Sequence, residues 1–454
     1  MNQEVSRLID GYREQFVETL REWVKIPSVK GEPEEGAPFG REVRNMLDRA
    51  MADARELGFP VRDFDGYACD ITLGGAEEKI AVLGHLDVVP VGDGWTKPPF
   101  EGLVENGRMY GRGTNDDKGP SLAALFAMKA VKEAGIPLKK SIRMILGCDE
   151  ESDWEDMHYY GEHERIPDVG FSPDANFPLI NTEKGMLCLE LRAPEAAAGL
   201  KILKLATGDR INVIPGECRA LVAGGREIAD KVDDYADRTG LSYTAEVTAE
   251  GVWITATGIP GHSAYPEGRR NAIGMMLLLL KELGAEGFIA TLAETVGMEY
   301  NGNSLGCACR DEISEGLTCN LGILRLEKGE WYATLDMRCP VTADQEKLKA
   351  AAAGHLPGIR VEVTLQKPPH HVPADSELVT GLLAAYEEET GLEGKPMSTG
   401  GGTYAKVLKQ GVAFGALFPD EEDLAHQADE FEEIDRLILA AKIYANALIR
   451  LAAE

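Results

Sequence analysis

The sequence predicts an α/β protein, a mixed sheet with helices on both faces, interrupted by an inserted α+β domain. Three observations carry that expectation. Residues 80–84 (Ile-Ala-Val-Leu-Gly) form a continuous apolar run bounded by turn residues, the mark of a strand covered on both faces. Strand and helix patterns alternate around it, as in the passage from a helix over 120–135 to a strand over 141–148. From about 185 the texture changes to short alternating segments ("GMLCLELRAP", "SYTAEVTAEGVWITATG", "WYATLDMRCP") interleaved with helices at 271–284 and 343–353, and near 376 the earlier style returns. A discontinuous α/β domain accounts for this: two pieces, 1–184 and 373–454, separated by an insertion at 185–372.

Taken in order, the opening segment sets Val5, Leu8, Ile9, Tyr12, Phe16, Leu20, Trp23 and Val24 on one helical stripe that stops at Pro27, an amphipathic helix packed on a core. "EPEEGAPFG" (32–40) reads as a loop, and helical spacing resumes over 41–57 until Gly58-Phe59-Pro60 ends it. The strand at 80–84 leaves His85 at its carboxyl end, the edge of an open α/β sheet where ligands bind. The helix over 120–135 has Pro120 in its first turn and Gly135 at its close. Ile434, Leu437, Ile438, Ala441, Ala445 and Leu448 share one face of a final helix. No repeat of solenoid period and no low-complexity tract interrupts this pattern.

Composition excludes several classes of partner. With 47 basic against 76 acidic residues the net charge is −29, which repels nucleic acid and anionic membranes. The 8 cysteines form no CxxC pair, and Cys307-Ala-Cys309 reads as two neighbouring free thiols. The N-terminus lacks a charged-then-apolar signal pattern, and the longest apolar run, 273–280, is too short to span a bilayer. A cytoplasmic, soluble protein is expected.

Five polar clusters remain: "GHLDVVP" with His85 and Asp87, "YGRGTNDDKGP" with Asp116 and Asp117, "GCDEESDW" with Asp149, Glu150 and Glu151, "FSPDANFP" with Asp174, and "LAHQADE" with His426. Singly, each has a bland reading: the first turn of a loop, a helix cap, a solvated acidic loop. Yet all five lie in the two α/β pieces and none in the insertion. Adjacent carboxylates repel one another unless cations sit among them. Imidazole nitrogen and carboxylate oxygen without thiolate suit catalytic Zn²⁺, Mn²⁺ or Co²⁺, and sharing Asp116 would give each of two ions three protein ligands.

In this order and spacing the motifs resemble the co-catalytic metal (di-zinc) exopeptidase family of aminoacylase, carboxypeptidase G and carnosinase. The likeness is greatest to its dipeptidase V branch, through "GHLDVVP", "GRGTNDDKGP", "DEES", "PDANFP", "GGGTYA" and "AHQADE". It spans essentially the whole chain and is looser in the insertion. The resemblance implies a zinc-exopeptidase-like fold with a lid of two lobes and two divalent ions, Zn²⁺ in the first instance. It implies that His85 and Asp174 hold one ion, Glu151 and His426 the other, and that Asp116 bridges them, followed by a cis peptide. Asp87 would accept the second N–H of the His85 ring, since two residues along an extended chain return to the same face.

Glu150 would be the general base, acting on a metal-bridging hydroxide. His262, in "TGIPGHSAYPEGRRNA", would stabilise the oxyanion, and Arg338, in "LDMRCP", would pair with the substrate's terminal carboxylate. Gly400, Gly401 and Gly402 would bring backbone N–H groups to that carboxylate; "STGGGTYAK" lacks the ending of a nucleotide loop. Asn212, in "INVIP", matches a position near substrate. The implied activity is a metal-dependent dipeptidase acting on short peptides with a free C-terminus, a monomer whose doubled lid covers its own site, with a dimer as the other arrangement. An N-acyl-amino-acid amidohydrolase on the same site is the nearest rival. A non-catalytic metal-dependent binding protein is the more distant one, opposed by the complete ligand set and Glu150.

Overall fold

The computed structural model describes residues 2–195 and 198–453. They form two compact units: Met1–Thr182 with His371–Met397 and Gly402–Glu454, and Glu183–His370 with Ser398–Gly401.

The first unit is built on a mixed sheet whose strands run in the order Val61–Phe64, Ala68–Leu73, Ser141–Gly147, Lys79–His85, Val169–Ser172, Gln410–Ala413, Ile180–Glu183. The central strand Lys79–His85 pairs in parallel with both neighbours, Ser141–Gly147 and Val169–Ser172. Its apolar run is continuous because both faces are covered: Ile80 and Val82 enter one core, Ala81 and Leu83 another. The helices Lys118–Glu133 and Ile434–Ala452 pack against each other and on the first face. On the second face Met157 and Tyr160 of the helix Glu155–His163 join Tyr404 and Leu408.

The first predicted helix is two helices, Gln3–Gly11 and Arg13–Val24, breaking at Tyr12, whose N–H is shared between the carbonyls of Leu8 and Ile9 at 3.1 Å each. The apolar stripe survives the break, with Val5, Ile9, Phe16, Leu20, Trp23 and Val24 all buried. The helix around Pro120 starts two residues earlier than its proline marks, at Lys118, which leaves the proline in the first turn where no N–H is needed.

The second unit centres on an eight-stranded antiparallel sheet in the order Ser242–Val247, Val252–Thr257, Glu217–Val222, Ile202–Thr207, Thr318–Glu327, Glu330–Cys339, Gly185–Pro194, Arg360–Lys367. Its two halves meet through only two residue pairs, Ala206↔Arg325 and Thr207↔Leu324. The apolar helix Ala272–Glu282 touches strands of both halves. The side chain of Asn271 caps it, accepting from the amides of Ile273 at 2.9 Å and Gly274 at 3.2 Å. Asp344 caps the helix Gln345–His355 in the same manner. All eight cysteines are free thiols. No helix among the described residues is long and apolar enough to cross a membrane.

Gly84 lets the helix Lys118–Glu133 approach the central strand. A Cβ there would lie 1.9 Å from Ser121 Oγ and 2.8 Å from Asp117 Oδ2. Gly84→Ala should therefore destabilise the first unit by about 1–3 kcal/mol through overpacking. Denaturant titration should show a lower midpoint; an unchanged midpoint would contradict the crowding.

Candidate metal centre

His85, Glu150 with Glu151, and Asp174 leave the carboxyl ends of three adjacent parallel strands, Lys79–His85, Ser141–Gly147 and Val169–Ser172. That edge gathers side chains because every strand there ends in the same direction. Asp116 comes from the loop before the helix Lys118–Glu133, and its peptide with Asp117 is cis. His426 comes from the turn ahead of the strand Phe431–Glu433, with φ 63°, a left-handed backbone uncommon outside glycine.

These side chains meet. His85 Nε2 lies 2.9 Å from Asp116 Oδ1 and 3.8 Å from Asp174 Oδ2. His426 Nε2 lies 3.1 Å from Asp116 Oδ2 and 2.9 Å from Glu151 Oε1. Two triads result, His85/Asp116/Asp174 and Asp116/Glu151/His426, each with its donor atoms within 4.8 Å of one another, and Asp116 belongs to both. Glu150 sits beside them, and its buried Oε1 has no hydrogen-bond partner.

The electrostatics divide the site in two. Burial alone would take the proton from His85, but its bonds to Asp116 and Asp87 hold it well above the usual imidazole range. For His426 the same opposition ends at about 11, with Asp116 and Glu151 outweighing desolvation. Asp116, although partly desolvated, is driven well below the ordinary carboxylate range by His426 and His85. Burial first, and then the Asp174 charge, pushes Glu150 well above its usual range; burial and Asp116 do the same to Asp174 and raise Glu151. One carboxylate keeps its charge by holding two imidazolium protons, while its neighbours resist ionising. A cluster of nitrogen and oxygen donors in this condition fits divalent cations, which would neutralise the carboxylates and replace those protons.

Asp87 faces the second nitrogen of the His85 ring and does more besides. His85 Nδ1 is 3.0 Å from the main-chain oxygen of Asp87 and 3.4 Å from its carboxylate. The carboxylate also accepts from the amides of Glu150 at 3.2 Å and Glu151 at 3.1 Å. Asp87 thus ties the first histidine's loop to the glutamate pair.

Further carboxylates hold these loops from behind: Asp117, named above in its motif, and Asp156 and Glu430, which were not singled out from sequence. Asp117 accepts from the His85 amide at 3.1 Å and from Ser121 Oγ at 2.7 Å. Asp156 accepts from the amides of Cys148 at 2.6 Å and Asp149 at 3.0 Å, and from the Tyr404 hydroxyl. Glu430, in the same motif as His426, pairs with Arg112, and both are buried.

Within the second unit, the residues matched to substrate are linked to one another. Val213 pairs with His262, and the Ser263 amide donates to the Asn212 carbonyl at 2.9 Å. Ser263 Oγ donates to Asp336 Oδ2 at 2.5 Å; Arg338 Nη2 reaches the same oxygen at 2.9 Å, and Arg338 Nη1 donates to the Gly400 carbonyl at 2.8 Å. Gly400 therefore turns its carbonyl toward the arginine, and the Gly401 amide is taken by Thr399 Oγ1 at 3.0 Å. Gly402 belongs to the first unit. Beside Gly400 lies a cavity of about 680 Å³ whose walls include Lys184, Tyr265, Tyr300, Arg310 and Thr399.

Comparison with known proteins places this geometry. The chain is 38% identical over 454 residues to the "Putative dipeptidase YtjP" of Bacillus subtilis (strain 168), covering 97% of this chain and 98% of that protein. It is 32% identical over 465 residues to the "Beta-Ala-Xaa dipeptidase" of Lactobacillus delbrueckii subsp. lactis, covering 99% of each. Its fold is similar to that of human carnosine dipeptidase 1, with a TM-score of 0.63 at 17% identity, over 99% of this chain and 98% of that one. A model of peptidase family M20/M25/M40 matches residues 81–450, from the central strand to the last helix, and the chain belongs to that family.

Proposed function

We propose that this peptidase is a metal-dependent dipeptidase whose centre holds two divalent ions, zinc or else manganese or cobalt, and that Glu150 is its general base. The observation that carries the reading is the pair of triads with Asp116 in common. Its support from outside the site is full-length similarity to proteins named dipeptidases. His85 and Asp174 would hold one ion, Glu151 and His426 the other, and Asp116 both. Ions bound there supply Lewis acidity, polarising a carbonyl oxygen and lowering the pKa of water.

The chain's own residues supply the rest. The partnerless Oε1 of Glu150 is free to take a proton from the attacking water and return it to the leaving amine nitrogen. Its pKa, raised by burial and by Asp174, suits a group that must both accept and release a proton. His262 would donate to the oxyanion as it forms. Arg338, with Asp336 and Gly400 fixing its fork, would meet the free carboxylate of the substrate. Asn212 and the 400–402 glycines would line that end of the substrate.

Glu150→Gln should remove turnover by about a thousandfold or more while leaving metal content unchanged, as loss of proton transfer rather than of a ligand requires. Elemental analysis beside steady-state kinetics checks both halves. A panel of unblocked dipeptides against acetyl- and succinyl-amino acids should show hydrolysis of the unblocked set; turnover confined to the acylated compounds would assign the amidohydrolase activity instead.

Loading should also release protons. In the metal-free chain His426 keeps its proton up to about 11, held by Asp116 and Glu151 against the cost of burial. A coordinating imidazole is neutral, so at pH 7 uptake displaces that proton. Apparent affinity should rise with pH by about tenfold per unit for each proton displaced, and fall in acid. Calorimetric titration in buffers of different ionisation enthalpy measures the release, and uptake without proton release would contradict it.

A further inference from the structure

Glu430 is fully buried and four residues beyond His426. Its Oε1 accepts from three amides of the loop that carries Asp116: Gly113 at 2.9 Å, Asn115 at 3.0 Å and Asp116 itself at 3.4 Å. Its Oε2 is 2.5 Å from Arg112 Nη1, and its main-chain oxygen accepts from the Gly111 amide at 2.9 Å. Arg112 is enclosed in turn, its guanidinium 5.3 Å from the Trp95 ring centre. Beyond Glu430 the chain continues as the strand Phe431–Glu433, paired antiparallel with Arg108–Tyr110. Before it, Asp429 accepts from the amides of Thr96 at 2.7 Å and Lys97 at 2.9 Å.

We infer that Glu430 is a positioning residue of the metal centre: it clasps the loop bearing the shared Asp116 to the turn bearing His426 and sets their spacing before any ion arrives. The inference rests on the reading of Asp116 and His426 as ligands. The reason is geometric. Asp116 serves both triads, so a small displacement of its loop disturbs both at once. A loop of exposed amides would drift in the metal-free chain, whereas a buried carboxylate accepting three of them at once has one arrangement. Arg112, paired with Glu430 Oε2, offsets part of the cost of burying that carboxylate, and leaving either group there without the other is strongly destabilising.

The test therefore removes both charges. In Arg112→Met/Glu430→Gln the amide acceptor remains; in Arg112→Met/Glu430→Met it is gone with side-chain length kept. Each chain is freed of metal with a chelator and titrated with Co²⁺, whose visible spectrum reports coordination geometry. The glutamine pair should bind within about threefold of the unaltered chain and share its spectrum, and the methionine pair should bind about 10–100-fold more weakly with an altered spectrum. Equal affinity and identical spectra in the two pairs would overturn the inference.

Should the methionine pair not fold, hydrogen exchange on the unaltered metal-free chain decides: the Gly113 and Asn115 amides should be protected, and rapid exchange there overturns the clasp. Failure of the unaltered chain to take up Co²⁺ would bring down the metal reading itself. Uptake by the unaltered chain without any difference between the two variants brings down only this inference.

Discussion

Carboxyl groups crowded at one sheet edge are the condition to which the rest of the first unit answers. Asp116, Glu150, Glu151 and Asp174 are partly buried together, with two imidazoles, His85 and His426, among them. Such a group does not assemble by its own attractions, so its backbone is held from behind. Asp87 takes the amides of Glu150 and Glu151, Asp156 those of Cys148 and Asp149, Asp117 that of His85, and Glu430 those leading to Asp116. The supporting carboxylates use main-chain N–H groups as partners, and this leaves the inner ones available to cations.

Much of this was legible in the sequence where the signal is local. The strand before His85 announced itself by an uninterrupted apolar run, and the run has that form because Ile80 and Val82 pack on one side and Ala81 and Leu83 on the other. The α/β class followed from the alternation around it. The motifs carrying His85, Asp116, Glu151, Asp174 and His426 were conspicuous because each interrupts such a pattern with polar residues and glycine. The break at Tyr12 was not legible, since the buried stripe runs straight through it. Nor was the seam of the second unit, where Ala206 meets Arg325 across a separation no local pattern encodes.

Glu430, Arg112 and Asp156 were missed for another reason. In a chain with 76 acidic residues one more carboxylate carries no mark, and what distinguishes these is complete burial. Asp87 shows what a parity argument leaves out. Alternation along an extended chain puts residues 85 and 87 on one face, but the strand ends at His85, and past that point the main-chain oxygen of Asp87 also turns toward the ring.

The order in which the chain is made gives the discontinuity of the first unit a further meaning. The strand Gln410–Ala413 lies inside the sheet, between Val169–Ser172 and Ile180–Glu183, and His426 reaches Glu151 across a separation of 275 residues. Until Gln410–Ala413 and His426 have been made, a bare strand edge stands open and one of the five proposed ligands is missing. The nascent chain is therefore exposed to edge-to-edge association until that strand is made, and the pair of triads closes only when His426 joins residues made far earlier.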